Sequence, residues 1–520
     1  MLRRFKSALS FAALVLVLGL ATACGGGDTQ EQQEQGQQGQ GNAAPTGGPA
    51  RDDIIIGLPA DISNLDPHNT ASASDFRMFE LIFSNLVRNS PDGFIPSVAV
   101  SWERAEDGLS YTFNLRDDVY FHNGDLMTAG DVVFTFNRAM ESPFVGAPLI
   151  SIANVEAIGD FQVRFNLHHQ FAPFIASIAS IWIVSESIVE AMGDDFSRNP
   201  IGTGPYKFVE HQPGRSVHLT RFDEYFGGPA YIRDVTYMIV LSPATASIAV
   251  EAGDIDLSIS VPPGDIARLE ATPGRTATHF ETNSLNFMTI NLHMEPFDNP
   301  LVREAIARVV DRQGLITMVA EGLGTPAQSF LNELTFGYHP DVAPFERDVT
   351  RARELMAEAG FPNGFSTTIA TIGDGVFEGW SQVIQANLAE IGITANIELL
   401  DQAVFIGNLF SFNYHIGLLS VALPGQDANA WDALFTSEGG MNMTGDNDPE
   451  IDQWFARARV ATDPAARLEY YRLIAQRVND TAAFIPLYFT NMAYVHHANL
   501  EMGFIGPTGN FRVDVIRWVD

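Results

Sequence analysis

Apolar positions recur along this chain with two different periods, and each period predicts its own element. Ile54-Ile55-Ile56 before Gly57 is a short continuous apolar run, the pattern of a buried strand. Within residues 109–121, Leu109, Tyr111, Phe113 and Leu115 alternate with polar neighbours, which predicts a strand with one apolar face. Asn123-Gly124 suits a turn, and the apolar stretch from Asp131 to Met140 predicts a helix after it. Beyond residue 290 the period lengthens. Asn299-Pro300 stand at cap and first-turn positions before a helix that lines Leu301, Ala305, Ile306 and Val309 along one face. Thr350 is placed to cap a helix that Gly360 stops, and a helix over 381–391 ends at Gly392. Straight after it Ile393, Ala395, Ile397 and Leu399 alternate as a strand. Asp463-Pro464 opens a further helix carrying Leu468, Tyr471, Ala475 and Val478. Helix, glycine stop, alternating strand is the grammar of α/β units packed on a sheet, and no internal repeat interrupts it.

The first fifty residues follow other rules. Arg3, Arg4 and Lys6 precede a mainly apolar run from Ala8 to Leu20, and Ala21-Thr22-Ala23 follow it. A charged start, an apolar centre and small residues before a cut describe an export signal over 1–23. Cys24, the sole cysteine, stands directly after the small residues, where a bacterial lipobox places the thiol that becomes diacylated. The departure is Ala21, where that motif usually has Leu. Residues 24–50 are rich in Gly, Gln and Glu and read as a lipid-anchored flexible linker with a mean reach of about 25–30 Å. No other stretch has the ~18 uninterrupted apolar residues that a bilayer span needs.

Composition narrows the function. The chain has 520 residues, 46% of them hydrophobic, which excludes a disordered or fibrous protein and implies more than one domain. Its formal charge of −33 argues against nucleic acid as a partner. Lys6 and Lys207 are the only lysines, a bias that fits either a GC-rich genome or a salt-adapted surface. A single cysteine forbids an intramolecular disulfide. There is no HExxH, GxSxG or phosphate-loop motif, so no catalytic residue is assigned and no enzyme activity is expected. The adjacent pairs His168-His169 and His496-His497 lack the spacing that brings two metal ligands together, which leaves His415 as a lone candidate and no metal or cofactor expected.

Several segments together resemble family 5 of the bacterial extracellular solute-binding proteins, the dipeptide, oligopeptide and nickel-binding subunits of ABC importers. They begin with Leu65-Asp66-Pro67 and residues 79–88, and continue through Ser101-Trp102-Glu103, Asp107-Gly108-Leu109 and Phe121-His122-Asn123-Gly124-Asp125. Thr128-Ala129-Gly130-Asp131-Val132, Gly202-Thr203-Gly204-Pro205-Tyr206, Ala252-Gly253-Asp254-Ile255-Asp256, Val302-Arg303-Glu304-Ala305-Ile306 and Asn363-Gly364-Phe365 follow in order. Read physically, Gly202, Gly204 and Pro205 suit a sharp crossing between domains. Arg116 and Asp131 read as scaffold ion-pair partners.

The resemblance implies an α/β, two-lobe periplasmic-binding-protein-like fold of type II, from the large cluster with an extra inserted domain. Lobe 1 would comprise 51–90, 200–289 and 486–520, the inserted domain 91–199, and lobe 2 residues 290–485. It implies a monomer that takes a peptide or other small solute by hinge closure, delivers it to ABC permease subunits and meets the membrane through the lipid anchor, in the periplasm or on the outer face of the cell membrane. Peptide binders of this family commonly place an Asp where this chain, aligned at Ala422, has Leu423; that Asp meets the peptide's α-amine. Asp427 could replace it if the Pro424-Gly425 turn brings it round, or could be a loop Asp bonding its own backbone. Ser72-Ala73 and Leu419-Ser420 would meet an extended peptide through backbone groups. Trp431 could stack on a ligand ring or pack in the core, as could Trp182 and Trp380. An oligosaccharide, another organic solute or a nickel chelate remains the alternative cargo.

Overall fold

The computed structural model describes residues 51–519 except 71, 91–92, 374 and 424–426. The export signal, Cys24 and the linker therefore lie outside the described residues.

Local chemistry sets the element boundaries. Asn299 accepts the Leu301 N–H and opens Pro300–Val309, and Asp463 does the same for Ala465 at the start of Pro464–Thr481. The cap expected of Thr350 belongs instead to Asp348, which takes the Arg351 N–H at 2.9 Å and starts Val349–Glu358. A carboxylate also complements the positive end of the helix dipole, which a hydroxyl does not. The helix expected over 381–391 begins at Gly375. Leu109, expected on the apolar face of a strand, precedes Ser110–Leu115 and is exposed, because Asp107 holds its N–H at 2.9 Å within the turn. Arg116 pairs with Asp118 at 2.7 Å, whereas Asp131 forms no ion pair with it. Asp131 accepts the Thr128 N–H at 2.9 Å and closes a capping box on Ala129–Glu141.

Two strands organise everything else. Arg275–Ile290 and Phe484–His497 are long neighbours in an 11-stranded sheet. Along one part of their length, Arg275 to Glu281 pair with His497 to Asn491, and Leu257–Ser258 and then Asp53–Leu58 extend the sheet. Along the other part, Leu285 to Thr289 pair with Phe489 to Phe484, and Ile416–Val421 extends it in the opposite direction. Between Glu281 and Leu285 the register breaks. Each part has its own core. One spans Leu285 to Phe489 in sequence, and the other gathers Ile54 to Ile259 with Tyr494 to Ile516. The second core also takes in the four-stranded sheet of Ala99–Arg104, Ser110–Leu115, Gln162–Leu167 and Ile152–Gly159, through Phe113, Phe136 and Phe165. The expected lobe boundaries at 290 and 485 thus fall within the two strands that both cores share.

Gly202 to Pro205 sit tightly against the end of the helix Ala73–Ile82. The Gly204 N–H donates to the Ile82 carbonyl at 2.9 Å, and a Cβ on Gly202 or Gly204 would lie 2.1 or 2.3 Å from backbone oxygens of Ile82 or Leu81. This crossing is clamped within one core. The connection between cores is the pair of long strands.

The C-terminal segment reinforces that connection. Tyr494 donates to the Gly509 carbonyl at 2.6 Å, and Pro507 accepts the Asn283 N–H at 2.9 Å inside the register break. At the far end of the same core, the Trp518 indole donates to the Asp53 carbonyl at 2.9 Å.

Two histidines, His68 buried and His122 half-buried, hold this core together in the neutral form. His122 donates from Nε2 to the Gly204 carbonyl and accepts the Gly202 N–H at Nδ1. His68 donates to the Trp182 carbonyl while Arg138, paired with Asp66, donates to its Nδ1. Burial pushes each imidazole down to about 4. The unfolded chain therefore binds protons between about pH 6.5 and 4 that the folded chain refuses, so stability is full above that window and falls as pH drops through it.

Two predictions follow from this packing. Stability against urea should fall from pH 7 to pH 4.5 by up to about 3 kcal/mol per histidine, and His122→Gln should flatten that slope; a pH-independent midpoint would contradict it. Gly202→Ala should cost about 1–3 kcal/mol by overpacking against the Ile82 carbonyl, read as a lower melting temperature.

Candidate ligand-binding cleft

Segments of both cores face one another across a cleft of 490 Å³, a volume within the usual range for small-ligand sites. Gly93, Phe94, Pro173 and Ile175 form one wall; Glu333 to Phe336, Asp427 and Arg467 form the other. The Ala172 N–H donates across it to the Arg459 carbonyl at 2.6 Å. Pro173 and Ile175 flank Phe174, whose ring packs on Tyr111 with centroids 4.4 Å apart. Strand alternation buries Tyr111 on the core side and so fixes this wall from behind.

Asp427 sits at the cleft with its carboxylate already engaged. It accepts from Arg467 Nη2 at 2.7 Å, from the Tyr471 hydroxyl at 3.1 Å and from the Asn429 N–H at 2.9 Å. Arg467 and Tyr471 lie four residues apart on Pro464–Thr481, so one helix face delivers both. Phe336 covers the guanidinium with its ring centroid 4.8 Å away. Burial alone would lower the proton affinity of Arg467, but Asp427 and the Tyr471 oxygen outweigh it and the net direction is upward. The pair's side chains are each only 11% exposed. Arg467 is held charged, with the Asp427 carboxylate against it.

The remaining sequence-derived residues fall around this pair. Ser72 and Ala73 begin the helix Ala73–Ile82, where Ser72 takes no capping hydrogen bond and Ala73 is exposed. The nearby loop is fixed by Asp75, which accepts from the Ser63 and Thr70 hydroxyls at 2.7 Å each. Leu419 and Ser420 pair with Phe287 and Asn286 on one edge of their strand. On its other edge, pairing with Ser366–Ile372 reaches only Ile416 and Gly417. The outer edge beyond Leu418 faces no further strand among the described residues. Trp431 is 4% exposed, stacks on Phe435 and meets Phe330 at a tilt, lining a cavity of only 10 Å³ with Asn283, Thr335, Leu423 and Asp427. That space suits one water, not a sugar ring. Trp182 and Trp380 are likewise buried. The Pro424-Gly425 turn lies outside the described residues.

His415 meets Thr367 at 3.1 Å, and among the described residues no three His, Cys, Asp or Glu side chains are placed to share a metal. Sequence reasoning missed Arg467 and Phe336. The available signal was a guanidinium four residues before Tyr471, on a helix face that otherwise turns apolar.

The model of the bacterial extracellular solute-binding proteins, family 5, matches residues 93–456. A heme-binding protein A of Haemophilus influenzae is 27% identical over 427 residues, covering 75% of this chain and 78% of that protein. A glutathione-binding protein GsiB of Shigella dysenteriae is 25% identical, covering 89% of this chain and 94% of that protein. The crystal structure of the ABC transporter substrate-binding protein CtaP of Listeria monocytogenes superposes with a TM-score of 0.84 at 26% identity, over 91% of this chain and all of that one (100%). This chain shares the mixed α/β fold of that substrate-binding protein. Among the described residues no helix is long and apolar enough to cross a membrane.

Asp427→Ala should cost the ligand-free protein about 3–5 kcal/mol, because it strands a buried guanidinium. Urea denaturation without ligand checks this; unchanged stability would mean that the carboxylate is idle until a ligand arrives.

Proposed function

The chain belongs to the bacterial extracellular solute-binding proteins of family 5, and on that premise we propose that it captures short peptides outside the cytoplasm and delivers them to the permease of an ABC importer. One observation carries the reading. The two cores are joined by Arg275–Ile290 and Phe484–His497, whose register breaks between Glu281 and Leu285, and the cleft lies between those cores. Bending at the break closes the cleft without disturbing either core, which is a hinge. Ligand that contacts both walls then shifts the population toward the closed form, the one a permease reads.

The open edge beyond Leu418 supports an extended peptide as cargo. A peptide laid along Leu419 and Ser420 would add a strand and satisfy backbone groups without selecting side chains. Ser72 and Ala73 offer backbone contacts from the other core. The GsiB relative is named for glutathione, itself a tripeptide, and the Haemophilus relative for heme, so cargo varies among relatives. Asp427 is a poor anchor for a peptide amine, since both its oxygens already accept from Arg467, Tyr471 and Asn429. The protein acts as a monomer, held to the membrane by lipid on Cys24 and spaced from it by the linker.

Calorimetry against di- to octapeptides tests the cargo; binding of none, beside tight binding of an oligosaccharide or heme, ends the peptide reading. With a binding peptide present, hydrogen exchange should slow at 281–285, 489–491 and the cleft walls while both core interiors stay unchanged. Even protection through one core alone contradicts hinge closure. Cys24→Ser should move the protein from the membrane to the soluble fraction, and continued attachment would refute the anchor.

A further inference from the structure

Arg467 has five N–H donors, as every arginine does. Nε donates to the Ala458 carbonyl at 3.2 Å, and Nη2 donates to Asp427 and to the Tyr471 oxygen. Among the described residues, the two donors on Nη1 make no hydrogen bond. Arg467 lines the cleft, and its plane is fixed by Phe336 and Tyr471, with ring centroids 4.8 and 5.5 Å from the guanidinium carbon. A planar cation held in one orientation with free donors is an acceptor-seeking group that has already lost most of its side-chain entropy. Asp427 keeps it in place without using those donors.

The surrounding wall adds an apolar lining. Behind this wall, burial pushes the Tyr111 phenol up, while Arg104 and Arg467 both pull it down. Phe94, Pro173, Ile175, Leu334 and Phe336 supply apolar surface. Glu333, exposed at the same cleft, is the other acidic group lining it among the described residues.

We propose that the cleft binds its ligand by an anionic group, a carboxylate carried on an apolar or aromatic body, with Arg467 Nη1 as its anchor. This rests on the substrate-binding reading above and assigns the charge that the ligand must carry. It inverts the expected polarity: the ligand's acid end is gripped, and its amine is left to weaker contacts. A peptide's C-terminus and a free organic acid share this chemistry.

Calorimetry on the ligand-free full chain with two matched pairs tests it. One pair is Ala-Phe-Ala and its C-terminal amide; the other is 3-phenylpropanoate and 3-phenylpropanamide. The acid should bind at least about tenfold more tightly than its amide in one or both pairs. Asp427→Asn combined with Arg467→Gln, shown to be folded by its melting curve, should abolish the preference. Arg467→Lys keeps the charge beside Asp427 and should retain a weaker preference. The acid–amide comparison on the unaltered protein needs no variant, so it decides even if the double variant fails to fold. Discrimination by the phenylpropanoate pair with a silent peptide pair would end the peptide reading and leave the anion site standing. Equal affinity for acid and amide, no binding of either acid, or a preference that survives the folded double variant overturns the proposal.

Discussion

The structure depends on keeping the backbone of two strands paired in two cores at once. Arg275–Ile290 and Phe484–His497 contribute ladder hydrogen bonds on both sides of the break, and a buried N–H or C=O left without a partner costs about 1–3 kcal/mol. Neither core can give up its share of these strands. The sheet meets this by concentrating all irregularity in a few residues. Thr282 donates to the Thr490 carbonyl at 2.6 Å, and the Asn283 side chain donates to the Leu423 carbonyl at 3.0 Å. Side chains there do the work that ladder bonds do elsewhere, and side-chain bonds can rotate with a bend where ladder bonds cannot.

The cleft inherits its electrostatics from the same economy. A chain of net charge −33 places its carboxylates mostly at the surface, yet Asp427 is drawn inward and must be neutralised there. Arg467 supplies the counter-charge, and the cleft thereby gains a guanidinium whose position a solvent-facing arginine would never hold. The carboxylate is the support, and the cation is what the cleft presents.

Much of this was legible from periodicity. The helices Pro300–Val309 and Pro464–Thr481 and the strand Ser110–Leu115 stand where apolar spacing and Pro signals put them. The family resemblance, read from ordered short segments, agrees with the match over 93–456. Local chemistry was read less well. Thr350 and Asp348 are both plausible caps, and only the backbone geometry selects the acid. Asp427 shows the deeper limit: its partners Arg467 and Tyr471 lie 40 and 44 residues away, and no local pattern states which charge will meet it. Nor does composition reveal that Gly202 and Gly204 are clamped on Ile82. That depends on a helix end more than a hundred residues earlier in the chain.

The Trp518–Asp53 hydrogen bond joins positions 465 residues apart, and the Pro507–Asn283 bond completes the register break from the same tail. The core containing Asp53–Leu58 is built from both ends of the chain. Loop-closure entropy opposes contacts of such sequence separation, so the core that joins Asp53 to Trp518 closes late in folding, after its more local pairs have formed.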